Sequence, residues 1–264
     1  MEIPVQINSN GKSILGIFHI SEKNAAGSPT IVACYGLDGN RVEHHRMSVM
    51  HGRYAEAAGV NLLRFDFTGL GVSEGEFWQT SIRTKIDDVI AVIEFVIGCF
   101  QKKRNTIIVS GFSDGARIAT DVAKIYKEVK GICLWNPIFF PMVSETDYKG
   151  VPLRLVREPR TKELVCQVNG LWMGIDHLKQ QKTIGTAFTD FNNFIGRKLA
   201  VFGREDSYTI QSREELLKAN DNLEHKAEIV SIPDAGHLFN HTVWANQVIS
   251  KTVSWAIEVG KLNS

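Results

Sequence analysis

The stretch Thr106-Ile-Ile-Val-Ser-Gly-Phe-Ser-Asp-Gly-Ala-Arg-Ile-Ala119 decides the fold. A β-branched apolar run enters the pattern G-x-S-x-G at 111–115, and a segment rich in small residues leaves it. The bare pattern is weak evidence, since roughly one chain in ten of this composition contains it by chance. A strand before it and a helix after it are the context in which it forms a tight turn that exposes the serine. Ser113 is therefore the candidate nucleophile, and a plain serine N-cap is the alternative.

Strand and helix patterns alternate on both sides of this turn. Asn10-Gly11 joins two apolar runs as an N-terminal hairpin, and nearly continuous apolar runs predict strands that are covered on both faces. The predicted strands are 5–7, 14–20, 30–35, 61–67, 106–110, 131–135, 199–202 and 227–232, and the predicted helices are 41–58, 81–100, 115–128 and about 241–259. This order predicts an α/β fold with a mostly parallel central sheet and helices on both faces.

Residues 136–195 interrupt this alternation, because they show no clear sheet strand and carry several prolines. A structureless loop of this length is uncommon in a compact domain, so we expect a cap inserted between two sheet strands. The core then comprises 1–135 and 196–264. The expected cap is rich in aromatic side chains, which are Phe139, Phe140, Tyr148, Trp172, Phe188, Phe191 and Phe194.

A nucleophilic serine needs a base within hydrogen-bond reach, and that base needs an orienting acid. At a strand–turn–helix site of this kind the chain order is serine, acid, histidine. His237 directly follows a predicted strand, where open α/β sheets gather their reactive groups, and Gly236 permits a tight turn before it. His225 precedes that strand and His241 lies in the next helix, so His237 is the predicted base.

The acid is expected where the preceding strand ends, and Asp206 follows that strand and its Gly203 turn. Glu205 is the main rival. Asp234 lies too close to His237 along one loop to be favoured. Asp206 is therefore the predicted acid.

Two main-chain N–H groups are expected to bind the oxygen that becomes negative during the reaction. One should belong to Asp114, which follows the serine, and the other to the loop after strand 30–35. Gly36 turns that loop and Leu37 is its candidate donor. An ordinary strand-to-helix turn is the alternative interpretation of the loop.

Composition excludes several other classes of protein. The 264 residues carry 30 Lys+Arg against 29 Asp+Glu, which gives no strong field for nucleic acid or an anionic membrane surface. The first residues lack a signal-peptide pattern, and no apolar run is long enough to span a bilayer.

The four cysteines are scattered without a C-x-x-C pair, which argues against a zinc or redox motif. Cys34, Cys99 and Cys133 lie in apolar segments and are expected to be buried. A reducing, cytoplasmic compartment is the corresponding expectation.

Gly69-Leu-Gly-Val-Ser-Glu-Gly75 follows a strand and superficially looks like a phosphate-binding loop. It lacks the Lys-Ser/Thr ending and the G-x-G-x-x-G spacing of such loops, so we expect a structural turn at 64–75 instead. His44, His45 and His51 have unsuitable spacing on a helix for one metal ion. Neither a metal nor a cofactor is therefore predicted.

Together these residues resemble the α/β-hydrolase-fold serine esterases, thioesterases and related acylhydrolases with an inserted cap, and among them the small bacterial feruloyl/cinnamoyl-esterase-like group. The resemblance is carried by Tyr-Gly-Leu-Asp-Gly-Asn-Arg at 35–41, R-x-D-x-x-G-x-G-x-S-x-G at 64–75, Gly-Phe-Ser-Asp-Gly at 111–115, and the loops at 203–206 and 236–237. Tyr35 departs from the histidine that is usual in the family, and Phe112 departs from the histidine of many relatives.

The resemblance implies an α/β-hydrolase fold in which Ser113 attacks an ester or thioester carbonyl. His237 would take the proton, Asp206 would hold the imidazolium, and water would release the acyl-enzyme. The implied partner is a small-molecule substrate, either free or attached to a carrier protein. The apolar cap favours an apolar acyl or aromatic acid group. An acyltransferase, a peptidase and a catalytically idle binding module are the alternatives.

Overall fold

A computed structural model describes residues 1–23, 27–100, 106–140, 154–168, 170–183 and 186–263. The strands are β1 (Glu2–Ser9), β2 (Lys12–His19), β3 (Thr30–Cys34), β4 (Asn61–Phe65), β5 (Ile107–Phe112), β6 (Val129–Trp135), β7 (Leu155–Arg157), β8 (Leu164–Val168), β9 (Leu171–Gly174), β10 (Arg197–Gly203) and β11 (Glu228–Ile232). The helices are α1 (Met47–Ala58), α2 (Ile82–Cys99), α3 (Gly115–Ile125), α4 (Ile175–Thr183), α5 (Ala187–Asn193), α6 (Ile210–Asn220) and α7 (Thr242–Asn263).

Eight strands form one sheet in the order β1-β2-β4-β3-β5-β6-β10-β11. β2 is antiparallel to both β1 and β4, and all other neighbours are parallel. Every residue of β3 and β4 is buried, because helices cover both faces of the sheet. One core cluster includes side chains of α2 and α3, and the other includes side chains of α1 and α7. The predicted mostly parallel sheet and its N-terminal hairpin are confirmed.

Helix α2 matches the predicted helix at 81–100 closely. Its N-terminus is a capping box, in which Ser81 Oγ accepts from Thr84 N at 3.1 Å and Thr84 Oγ1 accepts from Ser81 N at 2.8 Å. Val89, Val92 and Val96 on its apolar stripe are completely buried. Burial of this stripe packs α2 against β1, β3 and α3.

The predicted helix at 41–58 is wrong in its first residues, since α1 begins only at Met47. Asp66 explains the difference. Its buried carboxylate accepts from Arg41 N at 2.7 Å and Val72 N at 2.9 Å, and it pairs with the Arg41 guanidinium. These bonds fix the chain near residue 41 as a loop and join it to the glycine-rich turn, which is structural as predicted. Gly59 ends α1 as its C-cap with φ +97°.

The segment between β6 and β10 stays outside the large sheet, but the expectation that it lacks strands is wrong. β7, β8 and β9 pair antiparallel as a separate three-stranded sheet. These strands are only 3, 5 and 4 residues long, and β7 is largely exposed, so their apolar pattern is faint. The prolines at 141 and 152 and Tyr148 lie outside the described residues.

The aromatic residues of this segment mainly pack on one another. Phe139 and Phe191 are fully buried with ring centroids 5.4 Å apart, and Phe188 contacts Phe139 at 5.6 Å. These side chains belong to the same core cluster as those of α2 and α3, so their apolar character is explained by packing and carries no information about a substrate. A role of residues 136–195 as a cap stays a prediction.

Three of the four cysteines are buried, namely Cys34, Cys133 and Cys166. The prediction of burial is wrong for Cys99, which is exposed because the last turn of α2 reaches solvent. A reducing, cytoplasmic location stays a prediction. None of the helices in the described part of the chain combines the length and apolarity that crossing a bilayer requires.

A glycine in α1 and a glycine in α2 provide a matched test of how tightly α1 packs against its neighbours. A Cβ at Gly52 of α1 would collide with the buried His19 imidazole, whereas one at Gly98 of α2 would meet no atom within 4 Å. Gly52→Ala should lower the free energy of unfolding by about 1–3 kcal/mol through overpacking. Gly98→Ala should raise it by about 0.5–1 kcal/mol through backbone entropy. Urea unfolding of both variants measures the difference, and equal effects of the two substitutions would contradict the described packing of α1.

Candidate active site

Ser113 lies at the sharp turn between β5 and α3, in a left-handed backbone conformation with φ +56°. This region is strained for a residue with a side chain. The flanking glycines make the turn possible. A Cβ at Gly111 would lie 2.5 Å from Gly115 O, and a Cβ at Gly115 would lie 2.6 Å from Cys34 O. The predicted strand–turn–helix therefore forms, with both glycines at positions that exclude any side chain.

The structure brings the predicted serine, histidine and acid together in one hydrogen-bonded series. Ser113 Oγ lies 2.9 Å from His237 Nε2, and His237 Nδ1 lies 2.7 Å from Asp206 Oδ2. A carboxylate only accepts, so the imidazole carries its proton on Nδ1 and Nε2 accepts from the serine hydroxyl. This is the arrangement in which a histidine can remove the serine proton.

The loops after β10 and β11 position the predicted acid, Asp206, and the predicted base, His237. Asp206 is 1% exposed, whereas its rivals Glu205 and Asp234 are both exposed. His225 and His241 are exposed as well and are not part of the series. The sequence argument that placed the reactive groups at the carboxyl ends of these strands agrees with the observed geometry.

Local contacts hold both members of the Asp206–His237 pair. Asp206 Oδ1 accepts from Tyr208 N at 2.9 Å, and Oδ2 accepts from Thr209 Oγ1 at 2.7 Å. The rings of Phe112 and Tyr208 each lie 5.3 Å from the His237 imidazole. Phe112, where many relatives have a histidine before the serine, therefore packs against His237.

Asn136 is a site residue that sequence reasoning missed. It is fully buried just after β6, its Oδ1 accepts from Gly203 N at 2.7 Å, and its Nδ2 donates to His237 O at 2.8 Å. One side chain thus joins the end of β10 to the loop that carries His237. Its position directly after a strand's carboxyl end was the only available signal.

The two predicted oxyanion loops lie next to Ser113. A Cβ at Gly36 would lie 3.5 Å from Ser113 Cβ and 3.9 Å from its Oγ. Gly115 packs directly on the main chain of Cys34 and Tyr35, which brings the start of α3 close to the loop that contains Leu37. Leu37 and Asp114 therefore lie near the serine, and their role as donors remains a prediction.

A cluster of buried charged and polar side chains lies behind these loops. Lys85, Asp114, Arg117 and His177 are each at most 5% exposed, and Arg117 forms an ion pair with Asp114. Burial alone would raise the pKa of Asp114, but Arg117, Lys85 and His177 together lower it to about 2. Burial lowers the pKa of His177 to about 4, which keeps its imidazole neutral near pH 7. Asp114 is therefore a carboxylate that the cluster holds ionised.

Lys85 and His177 were not predicted as part of the site. A lysine within the apolar face of α2 was a signal for Lys85, since a lysine is almost never fully buried unless it is paired. Among the described residues, no group of three or more His, Cys, Asp or Glu is placed to hold a metal ion.

Comparisons with known proteins identify the family. Residues 35–167, just over half of the chain, match the family described as "Serine aminopeptidase, S33" (Hydrolase_4). The match includes Leu37, Ser113 and Asp114, but it ends before Asp206 and His237.

One curated relative is the esterase FrsA of Yersinia pestis, which is 23% identical over 145 residues. The alignment covers 53% of this chain but only 32% of FrsA, so the chain spans about a third of the length of that relative.

Solved structures share the fold over nearly the whole chain. Est1E of Butyrivibrio proteoclasticus with bound ferulic acid has a TM-score of 0.78 at 18% identity and covers 96% of this chain and 98% of its own. The esterase domain of a Rhodothermus marinus protein has a TM-score of 0.72 at 19% identity and covers 98% of each chain. The predicted resemblance to α/β-hydrolase-fold esterases is confirmed, and the chain belongs to the Hydrolase_4 family, described as serine aminopeptidase S33.

Proposed function

We propose that this protein is a serine esterase that forms an acyl-enzyme on Ser113. The observation that supports the proposal most directly is the hydrogen-bonded series from Ser113 Oγ through His237 to Asp206, with distances of 2.9 and 2.7 Å. A serine hydroxyl is a weak nucleophile until a neighbouring base removes its proton. The left-handed turn and the buried acid supply that arrangement.

In the first step, His237 Nε2 takes the hydroxyl proton while Ser113 Oγ bonds to the ester carbonyl carbon. The carbonyl oxygen becomes negative and is stabilised by the N–H groups of Leu37 and Asp114. His237 then returns the proton to the leaving alcohol as the C–O bond breaks. Water, deprotonated by the same imidazole, then attacks the acyl carbon, and His237 returns this proton to Ser113 Oγ as the bond between Oγ and the acyl carbon breaks and the acid is released.

Small-molecule esters are the proposed substrates. Est1E was solved with ferulic acid and FrsA is named an esterase, and both names favour ester chemistry over other acyl chemistry. A carrier-bound thioester can react through the same groups. The family description also names an aminopeptidase, so an aminoacyl anilide belongs among the test substrates.

We also propose that residues 136–195 act as a cap on the core formed by 1–135 and 196–264. The start of this segment runs beside the nucleophile, since Ile138 N donates to Ser113 O at 3.3 Å. Phe139 N donates to Ser212 Oγ at 3.2 Å, which joins this start of the segment to α6, the helix that follows the Asp206 loop. A segment in that position limits the size of the acyl group that reaches Ser113.

Substitution of the nucleophile tests the proposal. Ser113→Ala should lower kcat on p-nitrophenyl esters or methyl ferulate by about 10³- to 10⁶-fold, because no covalent intermediate can form. Ser250→Ala on α7 is the matched control and should retain wild-type turnover. Steady-state kinetics on esters of increasing chain length, acyl-CoA thioesters and an aminoacyl p-nitroanilide measure this. Wild-type turnover by Ser113→Ala on each substrate that the protein accepts would refute the assignment.

Substitution of the neighbouring carboxylates Asp206 and Glu205 tests which of them orients His237. Asp206→Asn should reduce kcat by about 10³- to 10⁴-fold, since the amide favours the wrong histidine tautomer. Glu205→Gln is exposed and should leave kcat within about threefold of wild type. The two kcat values on the best ester are compared after circular dichroism shows that both variants are folded. A larger loss for Glu205→Gln than for Asp206→Asn would contradict the assignment of the acid.

A further inference from the structure

Lys85 of α2 places an ammonium group where solvent does not reach. The side chain is 0% exposed, and burial lowers the pKa of Lys85. The negative charges of Asp114 and Asp38 partly oppose this lowering. A buried charge persists in a folded protein only where nearby groups stabilise it. The partners of this ammonium therefore indicate what it does.

Both hydrogen bonds described for the ammonium go to the loop that follows β3. Lys85 Nζ donates to Leu37 O at 2.8 Å and to Gly36 O at 3.3 Å. It also lies 5.1 Å from the centre of the Phe67 ring. The ammonium thus binds two consecutive main-chain carbonyls of the candidate oxyanion loop.

Because the peptide group is planar, binding of the Gly36 carbonyl also affects the direction of the Leu37 N–H. Gly36 C=O and Leu37 N–H belong to one planar trans peptide, so they point in opposite directions. A cation on the carbonyl side fixes the direction of the N–H and polarises it as a donor. The Gly36 Cα beside it faces Ser113, since a Cβ there would lie 3.5 Å from Ser113 Cβ.

We propose that Lys85 is a positioning residue of the oxyanion hole, holding the Gly36–Leu37 peptide so that Leu37 N–H faces the reacting carbonyl oxygen. The proposal rests on the esterase function proposed above. Lys85 acts through the peptide and does not itself touch the substrate.

The second candidate donor depends on the same cluster. Asp114 supplies its main-chain N–H next to Ser113, and its carboxylate is anchored behind the turn by Arg117. The negative charge of Asp114 in turn favours the charged form of Lys85. Lys85 therefore contacts one donor loop and is electrostatically coupled to the residue that supplies the other.

The test compares Lys85→Met with Lys198→Met, because Lys198 is a closely matched lysine far from Ser113. Lys198 is 2% exposed, donates to Asn192 O at 2.7 Å and lies 5.7 Å from the Phe191 ring centre. Removing one oxyanion donor outright costs about 10²- to 10³-fold in kcat. Loss of its support should cost about 10- to 100-fold with KM nearly unchanged, whereas Lys198→Met should retain wild-type kcat.

Binding of a transition-state analogue separates positioning from a general structural effect. A trifluoromethyl ketone, which places a negative oxygen in the hole, should bind Lys85→Met more weakly by the same factor as the loss of kcat. Circular dichroism and thermal unfolding check the fold of each variant. Lys85→Gln keeps an N–H donor for the two carbonyls, so its kcat and its affinity for the analogue should lie between those of Lys85→Met and the wild type. This variant replaces Lys85→Met in the test if Lys85→Met does not fold.

The outcomes distinguish the two proposals. No Ser113-dependent turnover by the wild type would overturn the esterase function. Wild-type turnover together with a folded Lys85 variant of unchanged kcat and unchanged analogue affinity would overturn the role of Lys85 and leave the esterase function standing. An equal loss of kcat in Lys198→Met would likewise overturn it.

Discussion

The tight turn that holds Ser113 is the constraint on which the site depends. The serine keeps a left-handed backbone with φ +56° because β5, α3 and the end of β3 pack tightly around it. This packing leaves no space for a side chain at positions 111 and 115, and both are glycine. The same close approach sets Asp114 and the Gly36–Leu37 loop beside Ser113. Strain at one residue is thus offset by the packing of a helix and two buried strands, and it places the partly buried Ser113 hydroxyl at the carboxyl end of β5.

His237 and Asp206 are held beside this hydroxyl by a scaffold of buried polar contacts. Asn136 joins the end of β10 to the loop that carries His237, while Lys85 and Arg117 fix the main chain around the opposite side of Ser113. Each of these groups is buried, so each hydrogen bond or ion pair is protected from competition with water. The reactive groups lie on loops, and the rigidity of those loops comes from side chains that are remote from one another in sequence.

The sequence predicted the sheet, the strand–turn–helix at Ser113 and the positions of His237 and Asp206 because each follows from a local pattern: an apolar run, a glycine-flanked serine, or a polar residue just after a strand. It failed where the outcome depends on distant partners. The sequence around residue 41 favours a helix, but its hydrogen bond to the distant Asp66 holds it as a loop. Strands β7–β9 are too short to show a periodic pattern. Asn136 and Lys85 could not be assigned, since their partners become neighbours only after the sheet has formed.

An activated Ser113 is the central claim, and covalent labelling tests it without knowledge of the substrate. The folded protein is treated with a fluorophosphonate, digested, and mapped by mass spectrometry, with heat-unfolded protein as the control. A single adduct on Ser113, formed only by the folded protein, is the predicted result. Labelling of another serine, or no labelling of the folded protein, would contradict the assignment of Ser113 as the nucleophile.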